Sequence, residues 1–268
     1  MKKALLVLLA VAMVFSVAAC GNNAAPTNSE APENTAGTAD AVTYEGTYTE
    51  PLKMGTNAAF PPYEYKEGEE FCGIDVEIAT AVAEELGTTL EVADMEFDSI
   101  ITAVQQGEVS FGMAGMTVTD ERKEEVNFTS SYATGVQVVI VTEDSAIATL
   151  DDLAGKKIGT QLGTTGDMYS KDDYGEENVT SYGKGADAVI ALKGGDVDAV
   201  IIDNEPAKAF VAENEGLKIL ETEYAVEDYA IAVAKDNATL LSDLNKALEK
   251  LTADGTIDTI IAKYIKAE

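Results

Sequence analysis

Two hydroxyls and one arginine follow a short apolar run in Ala114-Gly115-Met116-Thr117-Val118-Thr119-Asp120-Glu121-Arg122. An arginine fork matches a carboxylate with two parallel hydrogen bonds, and a hydroxyl supplies a third. Backbone at Gly115, the hydroxyl of Thr117 and the guanidinium of Arg122 are spaced to converge on one anionic group. The simpler alternative pairs Arg122 with Glu125 at i,i+3 on a wet face, worth roughly a few tenths of a kcal/mol. The nine residues alone favour that pairing slightly, and the rest of the chain reverses the preference. A second anion-friendly stretch is Gln161-Leu162-Gly163-Thr164-Thr165-Gly166-Asp167, a glycine- and hydroxyl-rich turn opening a helix. Such a helix start offers free amides and a positive dipole end. It lacks the Lys-Ser/Thr ending of a phosphate loop. An acid closes the apolar run Ala199-Val200-Ile201-Ile202-Asp203, where α/β sheets place ligands, although Asp203 serves equally as N-cap of a helix over 204–214. Asn57-Ala58-Ala59-Phe60-Pro61-Pro62-Tyr63-Glu64-Tyr65 reads as a rigid aromatic loop, suited either to a ligand wall or to packing on the core.

These groups need elements to hold them. Val109, Phe111 and Met113 alternate as a strand ahead of Gly115, and Asp120 is placed to cap a short polar helix through Glu125. Further strands are expected over 52–56, 90–92, 136–141, 199–203 and 230–234. Ile74, Ile78, Val82 and Leu86 fall at helical spacing with Gly87 as the stop, and 186–193 repeats the pattern before Gly194-Gly195. Ile100, Ile101 and Val104 share one helix face after Phe97-Asp98-Ser99. Leu240, Leu244, Leu248 and Leu251 share another, and Ile257, Ile260, Ile261 and Tyr264 a third. Strand, helix and strand recur, which predicts an α/β fold with mainly parallel sheets.

The chain has 268 residues, enough for one large or two ordinary domains. Forty-eight acidic residues against 18 basic ones give a formal charge of -30, so nucleic acid and anionic surfaces are poor partners. Histidine is absent, which removes His-based triads and proton shuttles. Met1-Lys2-Lys3 and the apolar run to Ala19 form a secretory signal segment. Its ending, Val17-Ala18-Ala19-Cys20-Gly21, resembles a bacterial lipobox, in which Cys20 is lipidated and becomes the mature N-terminus. Lipidation consumes that thiol and leaves Cys72 as a lone, small buried side chain. Residues 20–45 are polar and aperiodic, a flexible tether.

Lipobox, tether and two α/β halves together resemble the extracellular solute-binding proteins of polar amino-acid ABC importers (family 3). The resemblance runs from about Leu52 to Glu268. It rests on the aromatic loop 57–65, Gly73-Ile74-Asp75-Val76-Glu77, Phe97-Asp98-Ser99-Ile100-Ile101, the 115–122 run, Gly163-Thr164-Thr165 and 198–203, in the family's order and spacing. It implies a two-lobe clamshell of the periplasmic-binding-protein type, joined by two crossover strands. Lobe one would be 46–132 plus 229–268 and lobe two 133–228, with hinges near Tyr132–Val136 and Glu227–Ile231. By the same resemblance Arg122 holds a ligand carboxylate with Thr117, Thr165 and backbone at Gly115. Asp203 takes the ammonium, Phe60 and Phe97 stack on the side chain, and Asn57 and Gln161 tune its recognition. Related proteins for cationic amino acids often carry an acid at the position of Asn57. Two carboxamides between two aromatic faces suit a neutral polar side chain such as glutamine's, with Glu64 as the complicating neighbour.

The implied partners are a small amino acid, membrane permease subunits and the membrane itself through lipid on Cys20. A monomer outside the cytoplasm is expected, with no cofactor and no metal. Two other functions share this fold: a cyclohexadienyl dehydratase-like enzyme, for which no unassigned acid pair stands out, and a sensor-type ligand-binding domain.

Overall fold

The computed structural model describes residues 42–266; the expected signal segment, Cys20 and the expected tether up to residue 41 lie outside them. The first half runs β1 (Leu52–Thr56), β2 (Ala59–Phe60), β3 (Glu64–Glu67), β4 (Glu70–Cys72), α1 (Ile74–Glu85), β5 (Leu90–Asp94), α2 (Ile100–Gln106), β6 (Phe111–Gly112), α3 (Asp120–Glu125) and β7 (Val126–Phe128). The second runs β8 (Ala133–Thr142), β9 (Ile158–Gln161), α4 (Thr165–Tyr174), β10 (Val179–Tyr182), α5 (Gly185–Gly194), β11 (Ala199–Asp203), α6 (Asn204–Glu213), β12 (Leu217–Ile219) and β13 (Ala225–Tyr229). The chain then returns with β14 (Ala232–Ala234), α7 (Ala238–Ala253) and α8 (Thr256–Tyr264).

Two main sheets result, in the orders β5-β1-β6-β14-β7 and β10-β9-β11-β8-β12, with β13 pairing β8. Three neighbouring strands in each are parallel, β5-β1-β6 and β10-β9-β11, as the helical crossovers between them require. The remaining strands run antiparallel, so each sheet is mixed rather than mainly parallel. The reason is connectivity: β8 and β13 carry the chain to and from the second sheet and lie side by side, Ala133 opposite Tyr229. Strands β2, β3 and β4 form a separate antiparallel unit beside β1 that periodicity did not reveal.

The helices follow their apolar spacing. α1 buries Ile74, Ile78 and Val82, and Gly87 beyond its end adopts φ 77°. Sheet one contributes Met54, Phe111 and Met113 to the core, each fully buried; sheet two contributes Val139, Ile140 and Ile201. The chain is already tied down at the end of the expected tether. Buried Asp243 of α7 accepts the Glu45 and Gly46 amides at 2.8 and 2.7 Å and the Tyr48 hydroxyl at 2.8 Å. Tyr44 donates to Glu85 at 2.8 Å. Cys72 is a half-buried free thiol on β4. No helix among the described residues is long and apolar enough to cross a membrane.

Candidate functional site

Asn57, Phe60, Glu64, Phe97, Gly115, Thr117, Arg122, Gln161, Thr165 and Asp203 all line one enclosed cavity. Every residue singled out for the site in the folded part of the sequence is therefore brought together. They come from the strand ends of both main sheets, from the first turns of α3 and α4, and from β2 and β3 of the small sheet.

Arg122 is 6% exposed, which rules out the surface pairing with Glu125. Its helix is capped by Thr119, whose hydroxyl accepts the Arg122 amide at 3.2 Å; Asp120, expected as the cap, is the first helical residue instead. The guanidinium donates through Nη1 to the Thr117 carbonyl at 2.7 Å and through Nη2 to the Gly163 carbonyl at 3.0 Å. The Phe97 ring lies 5.4 Å beneath it, a cation–π contact. Phe97 thus supports the arginine as well as lining the cavity. Burial pulls the Arg122 pKa down, and the Glu227 carboxylate is the chief opposing influence.

Gly115, at φ 54°, turns the chain so that its amide donates to Asp75 Oδ2 at 2.8 Å. That amide is committed to Asp75, against the expectation that backbone at Gly115 serves a ligand. The same Asp75 oxygen receives the Tyr132 hydroxyl at 2.7 Å. Burial raises Asp75 to about 6, against the pull of those two donors. Glu64 is 1% exposed, and its carboxyl faces that of Asp75. Burial first, and the neighbouring Asp75 second, push its carboxyl well above the usual range.

Asp203 occupies the N-cap position of α6, yet its side chain makes no cap bond. It turns inward to accept Gln137 Nε2 at 2.8 Å and the Tyr229 hydroxyl. Burial first, and Glu227 second, raise its carboxyl to about 8. Thr165 opens α4 behind the Thr164 cap, and its hydroxyl donates to Glu227 Oε2 at 2.9 Å. Thr117 donates to the same oxygen at 3.2 Å. Asn57 and Gln161 bond to each other, Gln161 Nε2 to Asn57 Oδ1 at 3.0 Å, while Asn57 Nδ2 goes to the Met95 carbonyl at 2.7 Å.

Sequence reasoning missed Glu227, Gln137 and the supporting role of Asp75. Gln137 and Glu227 sit on strands β8 and β13 among otherwise ordinary strand residues, and only a buried polar side chain on an inward face distinguishes them. Asp75 stands in the Gly73–Glu77 motif and in the first turn of α1, and neither shows that it holds the Gly115 amide.

One guanidinium, two hydroxyls from opposite sheets and a buried acid across an aromatic-lined cavity suit a zwitterion with separated charges. The fold agrees with that chemistry. The chain is 33% identical over 278 residues to the arginine-binding extracellular protein ArtP of Bacillus subtilis (strain 168), covering 100% of both. A solved ancestral arginine-binding protein bound to glutamine superposes with TM-score 0.78 at 40% identity, covering 82% of this chain and 100% of that one. The arginine-, lysine-, histidine-binding protein ArtJ from Geobacillus stearothermophilus gives TM-score 0.78 at 31% identity, covering 82% and 96%. The two-lobed α/β architecture is theirs as well. A family model also matches residues 52–267, nearly the whole described span, and by that match the chain belongs to the bacterial extracellular solute-binding proteins, family 3.

Proposed function

We propose that this protein is the amino-acid receptor of an ABC importer, capturing a polar amino acid between its lobes and delivering it to a membrane permease. The convergence of Arg122, Thr117 and Thr165 opposite Asp203 carries this reading. Arg122 and the two hydroxyls take the α-carboxylate, and Asp203 takes the ammonium. Lobe one is 46–132 with 229–268 and lobe two is 133–228; the pairing of Ala133 with Tyr229 supports hinges there. Lipid on Cys20 would hold the protein, as a monomer, outside the cell membrane. Prephenate is expected to remain unchanged in its presence, in keeping with relatives named as binding proteins.

A basic side chain fits better than the neutral one that the carboxamides suggest. Asn57 and Gln161 are engaged with each other, and the Glu64 carboxyl lines the same cavity. A ligand cation reaching Glu64 would give a buried acid a paired positive charge, and several relatives are named for arginine. Calorimetry with L-arginine and L-glutamine tests this. Wild type should prefer arginine, and Glu64→Gln should lose roughly tenfold or more of that preference, a cost of about 1.4 kcal/mol. A wild-type preference for glutamine that Glu64→Gln leaves unaltered would return the side-chain assignment to the neutral class. Solution scattering should show a smaller radius of gyration with the bound amino acid.

A further inference from the structure

Glu227 lies on β13, one of the two strands by which the chain passes between sheets, and it is 6% exposed. Its Oε2 accepts Thr117 Oγ1 at 3.2 Å, Thr165 Oγ1 at 2.9 Å and Gln137 Nε2 at 3.0 Å. Thr117 belongs to the loop after β6 and Thr165 to α4 on the second sheet, so a single oxygen ties both halves. Arg122 and Tyr169 face the same carboxylate. Its other oxygen is enclosed, with no donor at normal hydrogen-bond distance among the described residues. The same two hydroxyls, beside the charge of the Arg122 guanidinium, are the groups assigned above to an amino acid's α-carboxylate. Two carboxylates cannot share that seat without strong repulsion.

We propose that Glu227 is a tethered stand-in for the ligand carboxylate, which an incoming amino acid must displace, and that it thereby sets affinity and selects for zwitterions. The proposal rests on the reading of Arg122, Thr117 and Thr165 as the carboxylate seat. Gln137 extends the effect to the other end of the ligand. One amide, Nε2, donates both to Glu227 and to Asp203 Oδ2, the latter at 2.8 Å. Moving Glu227 off its seat leaves Gln137 Nε2 on Asp203 alone and takes away the neighbouring carboxylate that opposes ionised Asp203, which readies that acid for an ammonium. The two charged ends of an amino acid therefore act together: its carboxylate expels Glu227, and its ammonium takes the acid that the expulsion readies. A simple amine lacks the group that starts the exchange, and a simple acid lacks the one that completes it. Were Glu227 instead a second acid for the ammonium, its neutralisation would weaken binding, the opposite sign.

The experiment is calorimetry of wild type, Glu227→Gln and Glu227→Asp with L-arginine, L-glutamine and the other standard amino acids, with a crystal structure of the wild-type complex. Glu227→Gln keeps the size and removes the charge, and it should tighten binding by about tenfold or more. Glu227→Asp withdraws the carboxylate by one methylene and should also tighten it. In the complex, the ligand carboxylate should hold Thr117 and Thr165 with Glu227 turned away. Unchanged or weaker binding in both variants, or a complex in which Glu227 keeps both threonine bonds, overturns the proposal and leaves the receptor reading standing. A wild type that binds none of the amino acids overturns both.

Discussion

Arg122 reaches from the first sheet to the Gly163 carbonyl that precedes α4 on the second, at 3.0 Å. The residue assigned to the ligand carboxylate therefore also bridges the halves between which the ligand would lie. Lysine keeps the charge but has no planar fork, so it cannot serve Thr117, Gly163 and a ligand together. Arg122→Lys should weaken amino-acid binding by about 2–3 kcal/mol, the scale of a charge-assisted bond lost in a buried site. Titration calorimetry measures it, and an affinity equal to wild type would remove Arg122 from the carboxylate seat.

Asp203 offers a test by pH. Its carboxyl is raised to about 8 by burial and by Glu227, above its ordinary value of 3.8. Between those values the folded protein holds a proton that the unfolded chain has shed. Stability from this group is thus full at low pH and is lost as pH rises through the folded value. Glu64 and Asp75 are shifted in the same direction, so the comparison needs a variant. Asp203→Asn should flatten the decline in unfolding free energy between about pH 6 and pH 8. A ligand ammonium favours the ionised acid, so wild type should expel a proton on binding near neutral pH. Calorimetry in two buffers of different ionisation enthalpy reads that proton, and the variant should release less than wild type with the same amino acid.

Asp75 holds the Gly115 amide and the Tyr132 hydroxyl on one oxygen. Asp75→Ala leaves both donors buried and unpaired, at roughly 1–3 kcal/mol each. Urea unfolding should show a loss of about 2–4 kcal/mol, and binding should weaken as the turn at Gly115 relaxes. A stability loss under about 1 kcal/mol would mean that water replaces the carboxylate there.

Gly115 itself carries φ 54°, and a Cβ there would lie 3.1 Å from Phe60 Cε1. Gly115→Ala should cost about 1–2 kcal/mol in backbone strain and drive the Phe60 ring into the cavity. Differential scanning calorimetry should show a lower Tm, and binding should fall by more than the stability change accounts for. An alanine variant with undiminished affinity would place Phe60 outside the ligand wall.

The motifs made the site legible because its residues combine unusual types with fixed local geometry. Thr117 and Arg122 are five positions apart on one turn and short helix, so their convergence needs no knowledge of the sheet. The acid closing β11 could be placed by its position at a strand end alone. Glu227 and Gln137 could not, since their meeting depends on β13 lying against β8, a pairing between residues about ninety positions apart. Strand direction was similarly hidden: the apolar run 136–141 marks a strand but carries no sign of running antiparallel to its neighbours. The mutual bond of Asn57 and Gln161 is a contact between sheets, and it turned two expected ligand donors into each other's partners.

The Asp243 clamp bears on where a trimmed chain can begin. The family match starts at residue 52, whereas three donors to Asp243 come from Glu45, Gly46 and Tyr48. A protein cut to the matched span would bare a carboxylate that is otherwise fully enclosed and strip α7 of its cover. The recombinant form should start no later than Tyr44, and a protease cutting just beyond Tyr48 should loosen α7 and the adjoining α1 while every cavity-lining side chain remains in the chain.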